Sequence, residues 1–251
     1  MNRSMKDKVV LVVGGAGSIG AVSAKRFAEL GARIAISHRD VPDEAVAAAT
    51  VVQSLRGDGH AALIADVAQT ATLKALRAEI ERRFGRLDIL VNAAGFTKPV
   101  PHADLDALDD DLIDRMFAVN WRGQFAAIRT FAPFLKASGD GLIVSISSIA
   151  GTNGIGSSIA YCAVKAGIDV MTKSLARVLA PEVRVLAVAP GVVDTGFVPG
   201  RDADFNAKTA TTTPLKRIAT AEDIASAILA CATQLGFATG TTFVVDGGRS
   251  L

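Results

Sequence analysis

Aromatic residues are scarce in this chain: they fill 5% of 251 positions, with one tyrosine and one tryptophan among them. A core with so few rings must be built from alanine, valine, isoleucine and leucine. That composition suits a parallel sheet covered by helices on both faces. Cysteine is scarcer still. Cys162 and Cys231 offer no disulfide framework and predict a reducing, cytoplasmic setting. Charge of one sign is also lacking: the net charge is +2, with no basic cluster and no series of stacking aromatics, which argues against nucleic acid as a partner. No run approaches the ~18 apolar residues of a membrane span, and residues 1–8 are polar, without the apolar stretch of a signal peptide.

What is present is a regular alternation. Short apolar runs at 8–13, 33–37, 60–65, 87–91, 141–146, 183–189 and 242–245 read as strands. Between them, 19–30, 42–56, a segment capped by Thr70, 108–135, 158–179 and 221–233 read as helices. The third of these carries Leu73, Leu76, Ile80 and Phe84 as an apolar stripe. Strands alternating with helices of this length predict βαβ crossovers. The fold class is therefore α/β, a single-domain doubly wound parallel sheet of Rossmann type with about seven strands and helices on both faces. No repeat or linker suggests a second domain. Residues 191–214, rich in Thr, Asp and Gly, are the least regular stretch and are predicted to form a loop acting as a substrate lid. Asp109, Asp110 and Asp111 are consecutive and point about 100° apart on a helix, so they read as residues of a helix N-terminus, and no metal site is predicted.

Gly14-Gly15-Ala16-Gly17-Ser18-Ile19-Gly20 lies between the first strand and the first helix. Gly15, Gly17 and Gly20 fit the dinucleotide fingerprint in its proper context, where backbone N–H groups and a helix N-terminus meet a pyrophosphate. The sole tyrosine, Tyr161, stands four residues before Lys165 and thirteen after Ser148. On a helix, positions 161 and 165 share one face. A lysine ammonium there favours the phenolate and predicts a phenol able to exchange a proton near neutral pH. Ser148 is placed to hydrogen-bond the same substrate oxygen. Such a phenol is a general acid for turning a ketone into an alcohol and a general base for the reverse.

With these motifs in order, the chain resembles the short-chain dehydrogenase/reductase family over nearly its whole length, from Lys8 to Val245-Asp246-Gly247-Gly248. The family's Thr-Gly-x-x-x-Gly-x-Gly loop falls on Val13, Gly14, Ser18 and Gly20, with valine for threonine and serine for the middle glycine. Asp66-Val67 resembles the family's adenine contact. Asn92-Ala93-Ala94-Gly95 resembles its Asn-Asn-Ala-Gly, and residues 190–195 resemble the segment that holds the nicotinamide carboxamide. The resemblance implies a nicotinamide dinucleotide held by Gly14, Gly17, Ser18, Ile19, Gly20, His38, Arg39, Asp66, Val67, Asn92, Ala93, Gly95, Val119, Tyr161, Lys165, Pro190, Val193 and Thr195. It implies no metal. At the end of the second strand, where the family's NAD users carry an acid, this chain has His38 and Arg39, and Arg39 would pair with a 2′-phosphate. NADP is therefore favoured over NAD; Asp40 is the rival ribose contact.

The resemblance further implies a catalytic set of Asn120, Ser148, Tyr161 and Lys165. Tyr161 donates the proton, and Lys165 binds the nicotinamide ribose and lowers the tyrosine's pKa. Asn120 holds a water that relays protons from Lys165. Ser147 competes for the serine role, but the spacing selects Ser148. The implied activity is interconversion of a secondary alcohol and a ketone, acting on CH–OH with NAD or NADP. Rivals are a non-catalytic dinucleotide sensor and a hydride-shuttling epimerase. The partner is a small carbonyl or alcohol substrate. Lys98, His102 and Arg201, the ionisable residues near the predicted mouth, make no obvious carboxylate clamp in the sequence, which favours a neutral substrate. The family often forms homotetramers (or homodimers), here through 108–135, 158–179 and the last strand.

Overall fold

The computed structural model describes residues 3–251; of the polar N-terminal segment, Met1 and Asn2 lie outside the described residues. Seven strands, β1 (Val9–Val13), β2 (Arg33–His38), β3 (Ala61–Ile64), β4 (Ile89–Asn92), β5 (Gly141–Ile146), β6 (Val183–Pro190) and β7 (Thr241–Val245), form one sheet. Their spatial order is β3-β2-β1-β4-β5-β6-β7, and every pairing is parallel. The chain thus winds outward from β1 in one direction and from β4 in the other. The carboxyl ends of β1 and β4 mark the switch point, where open α/β sheets bind ligands.

Alternation within β1 sorts its side chains between two cores. Val9, Leu11 and Val13 join Leu73, Leu76, Ile80 and Phe131, whereas Val10 and Val12 join Phe27, Ile34 and Ile228. The first core is covered by α3 (Thr70–Phe84), α5 (Gly123–Ala137) and α7 (Ile159–Leu179), and the second by α1 (Ser18–Glu29), α2 (Pro42–Ser54) and α9 (Ala221–Thr233). The inner strands β1, β4 and β5 are buried almost throughout, which explains their near-continuous apolar runs, whereas the edge strands β3 and β7 are partly exposed.

Three local expectations are corrected. Thr70 does not cap α3. The N-cap is Gln69, and the hydroxyl that ties this end down belongs to Thr72, which donates to the carbonyls of Asp66 and Gln69 at 2.8 Å each. The single helix expected over 108–135 is α4 (Asp110–Phe117), a π-helical turn (Ala118–Arg122) and α5. Asp109 is the N-cap of α4, its carboxylate accepting from Leu112 N–H at 2.7 Å, with Asp110 and Asp111 in the first turn as expected. The stretch 191–214 is not all loop, since it contains α8 (Ala203–Thr212), capped by Asp202. A short helix, α6 (Ala150–Asn153), follows β5. No helix among the described residues is long and apolar enough to cross a membrane.

Candidate active site

A cleft of about 1530 Å³ runs along the carboxyl edge of the sheet. It is larger than the ~300–1,000 Å³ of most small-molecule pockets, as a site for a dinucleotide and a second molecule requires. At its centre the chain leaves β1 through Gly14, whose φ is +77° and whose missing side chain lets Ala94 approach: a Cβ there would lie 2.7 Å from the Ala94 backbone. Gly20 is needed for packing, because a Cβ would come within 2.5 Å of the Gly14 carbonyl oxygen. The N-cap of α1, Gly17, supplies no side-chain cap, and no acid stands in the first turn. The leading N–H groups of this helix therefore remain free donors at a positive dipole end, lining the cleft through Ser18, Ile19 and Gly20.

The carboxyl ends of β2 and β3 form one end of the cleft, lined by His38, Arg39, Asp43, Glu44, Asp66 and Val67. Asp66 is oriented by the Ala68 N–H, which donates to Oδ1 at 2.9 Å. Arg39 is not free. Its Nε donates to Glu44 Oε1 at 2.9 Å, its Nη2 donates to the same oxygen, and its backbone N–H donates to Oε2 at 2.8 Å. Although burial pushes the Glu44 carboxyl upward, Arg39 holds it below its usual value. Asp40, the rival ribose contact, is exposed and does not line the cleft.

At the other end, β5 delivers Ser147 and Ser148. The Ser147 hydroxyl is spent on α7, donating to the Lys165 carbonyl at 3.2 Å. Ser148 accepts from Ala150 N–H at 3.2 Å and faces the Tyr161 phenol. The hydroxyl of Ser158 caps α7 by accepting from Tyr161 N–H at 3.1 Å, which fixes the first turn that carries Tyr161. One turn on, the Lys165 ammonium lies 5.5 Å from the Tyr161 ring centroid and donates to the Ile146 carbonyl at 2.7 Å.

The expected lowering of the Tyr161 pKa by Lys165 is not what this geometry gives. Burial dominates and pushes the phenol up to about 12, with Ser148 and Arg201 pulling the other way. Lys165 is itself desolvated, and burial brings its ammonium down to about 8 against the pull of Asp169. Desolvation of both groups disfavours the phenolate–ammonium pair and outweighs the attraction between them here.

Two sequence-predicted site residues do not reach the cleft. Asn120, fully buried in the π-helical turn, clasps the loop after β4: its Oδ1 accepts from Phe96 N–H at 2.9 Å and its Nδ2 donates to the Phe96 carbonyl at 2.8 Å. A Cβ on Gly95 would sit 2.9 Å from that Oδ1, which explains the glycine. Asn92 is buried between β4 and β5, with Nδ2 3.4 Å from Ser145 Oγ. Gly14, Gly17, Ser18, Ile19, Gly20, His38, Arg39, Asp66, Val67, Ala93, Gly95, Val119, Ser148, Tyr161, Lys165, Pro190, Val193 and Thr195 all line it.

Sequence reasoning missed Glu44 and Arg249, and weighed Phe197 as a pocket-lining residue against plain packing. Phe197 meets the Tyr161 ring at 6.2 Å between centroids, and Arg249 reaches the cleft from the C-terminal segment. Glu44 carried a readable signal, an acid in the first turn of a helix five residues after Arg39. Arg249 carried none. Of the predicted mouth residues, His102 and Arg201 line the cleft and Lys98 does not.

A family model described as enoyl-(acyl carrier protein) reductase matches residues 14–250. The chain is 37% identical over 248 residues to the protein assigned as ketoacyl reductase 2 of the granaticin polyketide synthase of Streptomyces violaceoruber, covering 97% of this chain and 96% of that one. It is 36% identical over 252 residues to cis-4-hydroxycyclohexanecarboxylate dehydrogenase of Sinomonas cyclohexanicum, covering 99% and 98%. Among solved structures, the short-chain dehydrogenase/reductase (glucose/ribitol dehydrogenase) of Brucella melitensis superposes with a TM-score of 0.90 at 29% identity, over 99% of each chain.

Proposed function

Because the chain belongs to the short-chain dehydrogenase/reductase family of oxidoreductases, we propose that it interconverts a secondary alcohol and a ketone, with Tyr161 as general acid and base. The observation that carries this reading is a single cleft joining the uncapped N-terminus of α1 to Ser148, Tyr161 and Lys165. The residues present fit a nicotinamide dinucleotide: free helix N–H donors suit a pyrophosphate, and the Asp66 carboxylate suits an adenine amine. When bound, that cofactor supplies or takes up the hydride.

The chain's own residues do the rest. Ser148 hydrogen-bonds the carbonyl oxygen, and Tyr161 gives that oxygen its proton in reduction or removes it in oxidation. Lys165, anchored on Ile146, keeps two N–H donors for the ribose side of the cleft. Asn120 is a positioning residue that holds the loop after β4 through Phe96. One domain carries both subsites, and segment 191–214 closes over the substrate, since Thr195, Phe197, Arg201 and Phe205 all face the cleft. The cytoplasm is the proposed location, in keeping with two buried free thiols. The names of two relatives, a ketoacyl reductase and a hydroxycycloalkane dehydrogenase, support a carbonyl–carbinol reaction here.

For the cofactor we place NADP(H) ahead of NAD(H) on the strength of Arg39, with Glu44 restraining the preference because a 2′-phosphate must draw the guanidinium away from that carboxylate. Arg39→Gln is expected to lower the ratio of kcat/KM for NADPH over NADH by about 10-fold or more, and Glu44→Gln to raise it about 10-fold. Initial rates from nicotinamide absorbance with each dinucleotide test this. A ratio unmoved by Arg39→Gln would remove the argument for NADP.

A homotetramer is the proposed assembly. Phe117, Val170 and Val178 on the long helices and Val244 on the edge strand β7 are exposed apolar residues on the surfaces that family tetramers pair. Sedimentation equilibrium should give four times the 25.9 kDa chain mass; a monomer mass would contradict the proposal.

A further inference from the structure

We propose that the substrate carries a carboxylate at a distance from its reacting carbonyl, and that Arg201 binds it. The inference rests on the reading above, in which the reacting oxygen sits at Tyr161.

Charge is divided along the cleft. The lining acids, Asp43, Glu44 and Asp66, all lie at the β2–β3 end. Around Tyr161 the charged residues lining the cleft are Lys165, Arg115, Arg201 and Arg249, without an acid among them. These cations differ in what already satisfies them. Lys165 is bonded to Ile146. Arg249 spends Nη1 on the Thr209 carbonyl at 3.4 Å and on the hydroxyls of Thr212 at 3.1 Å and Thr213 at 3.5 Å. Arg115 lies over the Phe96 ring at 4.8 Å but is exposed, so solvent screens its charge.

Arg201 is partly buried yet belongs to none of the ion pairs among the described residues. Its guanidinium packs over the Phe205 ring at 4.8 Å, a contact that orients the fork without satisfying its N–H donors. Arg86 and Arg217, by contrast, each close on an acid, Asp88 and Asp223. A partly desolvated guanidinium held over a ring, facing a cleft and lacking a carboxylate, is missing the partner it binds best. A carboxylate supplies the complementary charge in a geometry matching the fork. Arg201 and Tyr161 line the same cleft with Phe197, whose ring meets that of Tyr161 at 6.2 Å, and the guanidinium pulls the phenol downward. In the sequence, Arg201 stood near the predicted mouth but made no carboxylate clamp with Lys98 and His102, which favoured a neutral substrate; the unpaired guanidinium on the cleft wall reverses that expectation.

The test uses matched probes: 4-oxocyclohexanecarboxylate and its methyl ester, and 4-oxopentanoate and its methyl ester. Steady-state reduction of each is followed in wild type, Arg201→Gln and Arg201→Lys, with thermal midpoint and dinucleotide affinity confirming that each variant is folded. Wild type is expected to prefer the acids over the esters. Arg201→Gln should collapse the acid-to-ester ratio of kcat/KM by ~10- to 100-fold, through KM for the acid, and Arg201→Lys should restore part of it. Equal use of acid and ester by wild type, or an equal fall for both in Arg201→Gln, would overturn the proposal; the second result would assign Arg201 to Tyr161 alone. If no probe turns over, the reaction assigned to this site is what fails. Calorimetry of acid and ester binding to the dinucleotide complex then decides the carboxylate site: an acid preference that Arg201→Gln abolishes sustains it, and equal binding overturns it.

Discussion

Replacing Tyr161 by phenylalanine is expected to lower kcat for carbonyl reduction by ~10²- to 10⁴-fold while leaving dinucleotide affinity within about twofold. The variant is conservative in packing, since the ring that meets Phe197 at 6.2 Å is kept and the α7 cap uses only the backbone N–H of residue 161. What is lost is the one hydroxyl that faces Ser148 beside the lysine. Ser148 cannot replace it as a proton donor, because a serine hydroxyl is a far weaker acid than a phenol. Burial holds the phenol neutral up to about 12, the state that reduction needs. Reduction should therefore stay level across neutral pH and change near pH 8, where Lys165 gives up its proton. Oxidation, which needs the phenolate, should rise with pH. Stopped-flow and steady-state rates against pH, in wild type and variant, check both statements.

Asp88→Ala is expected to destabilise the fold by ~3 kcal/mol without altering the chemistry. Asp88 sits at the amino-terminal edge of the sheet, opposite the cleft, and is 1% exposed. Its carboxylate accepts from Val9 N–H at 2.9 Å, Lys8 Nζ at 3.1 Å, and Arg86 Nε and Nη2 at 3.0 and 2.6 Å, tying β1 to the start of β4. Removing it orphans a buried N–H, whereas the two cations reach water and limit the loss. For a chain of this length the midpoint should fall by ~6–12 °C, with kcat unchanged.

Burial pushes the Asp88 carboxyl up, but Arg86, Val9 N–H and Lys8 together hold it below its ordinary value. A depressed carboxyl stabilises the fold above its unfolded pKa of ~3.9, and that contribution is lost as pH falls through the folded value. The gap between wild type and Asp88→Ala should accordingly be full at neutral pH and close below about pH 4. Denaturant melts at several pH values measure it; a gap that persists in acid would contradict this account of the clip.

The strands and their parallel order were legible because a sheet buried on both faces imposes near-continuous apolar runs, and glycine stops separate them. Ala221–Thr233 and Gly141–Ile146 appear where periodicity placed them. The π-helical turn was not legible. It carries Asn120, whose bonds to Phe96 span 24 positions and leave no local pattern to read. The helix Ala203–Thr212 escaped notice because only Thr209 on it is buried, which leaves no apolar stripe to read. Within the candidate site, local motifs such as Tyr161 with Lys165, or Gly14 with Gly20, were visible as spacings. Partner choice over long range was not: the claim of Phe96 on Asn120 and of Ile146 on Lys165 each depends on how separate elements meet.

The most direct test of the central claim is to offer a ketone substrate with NADPH carrying deuterium at both nicotinamide C4 positions and to examine the product alcohol by mass spectrometry and NMR, with Tyr161→Phe alongside. The account predicts one deuterium on the carbinol carbon in wild type, and product formation slowed by orders of magnitude in the variant although NADPH still binds. Alcohol formed without the label, or labelled alcohol formed as fast by the variant as by wild type, would contradict it.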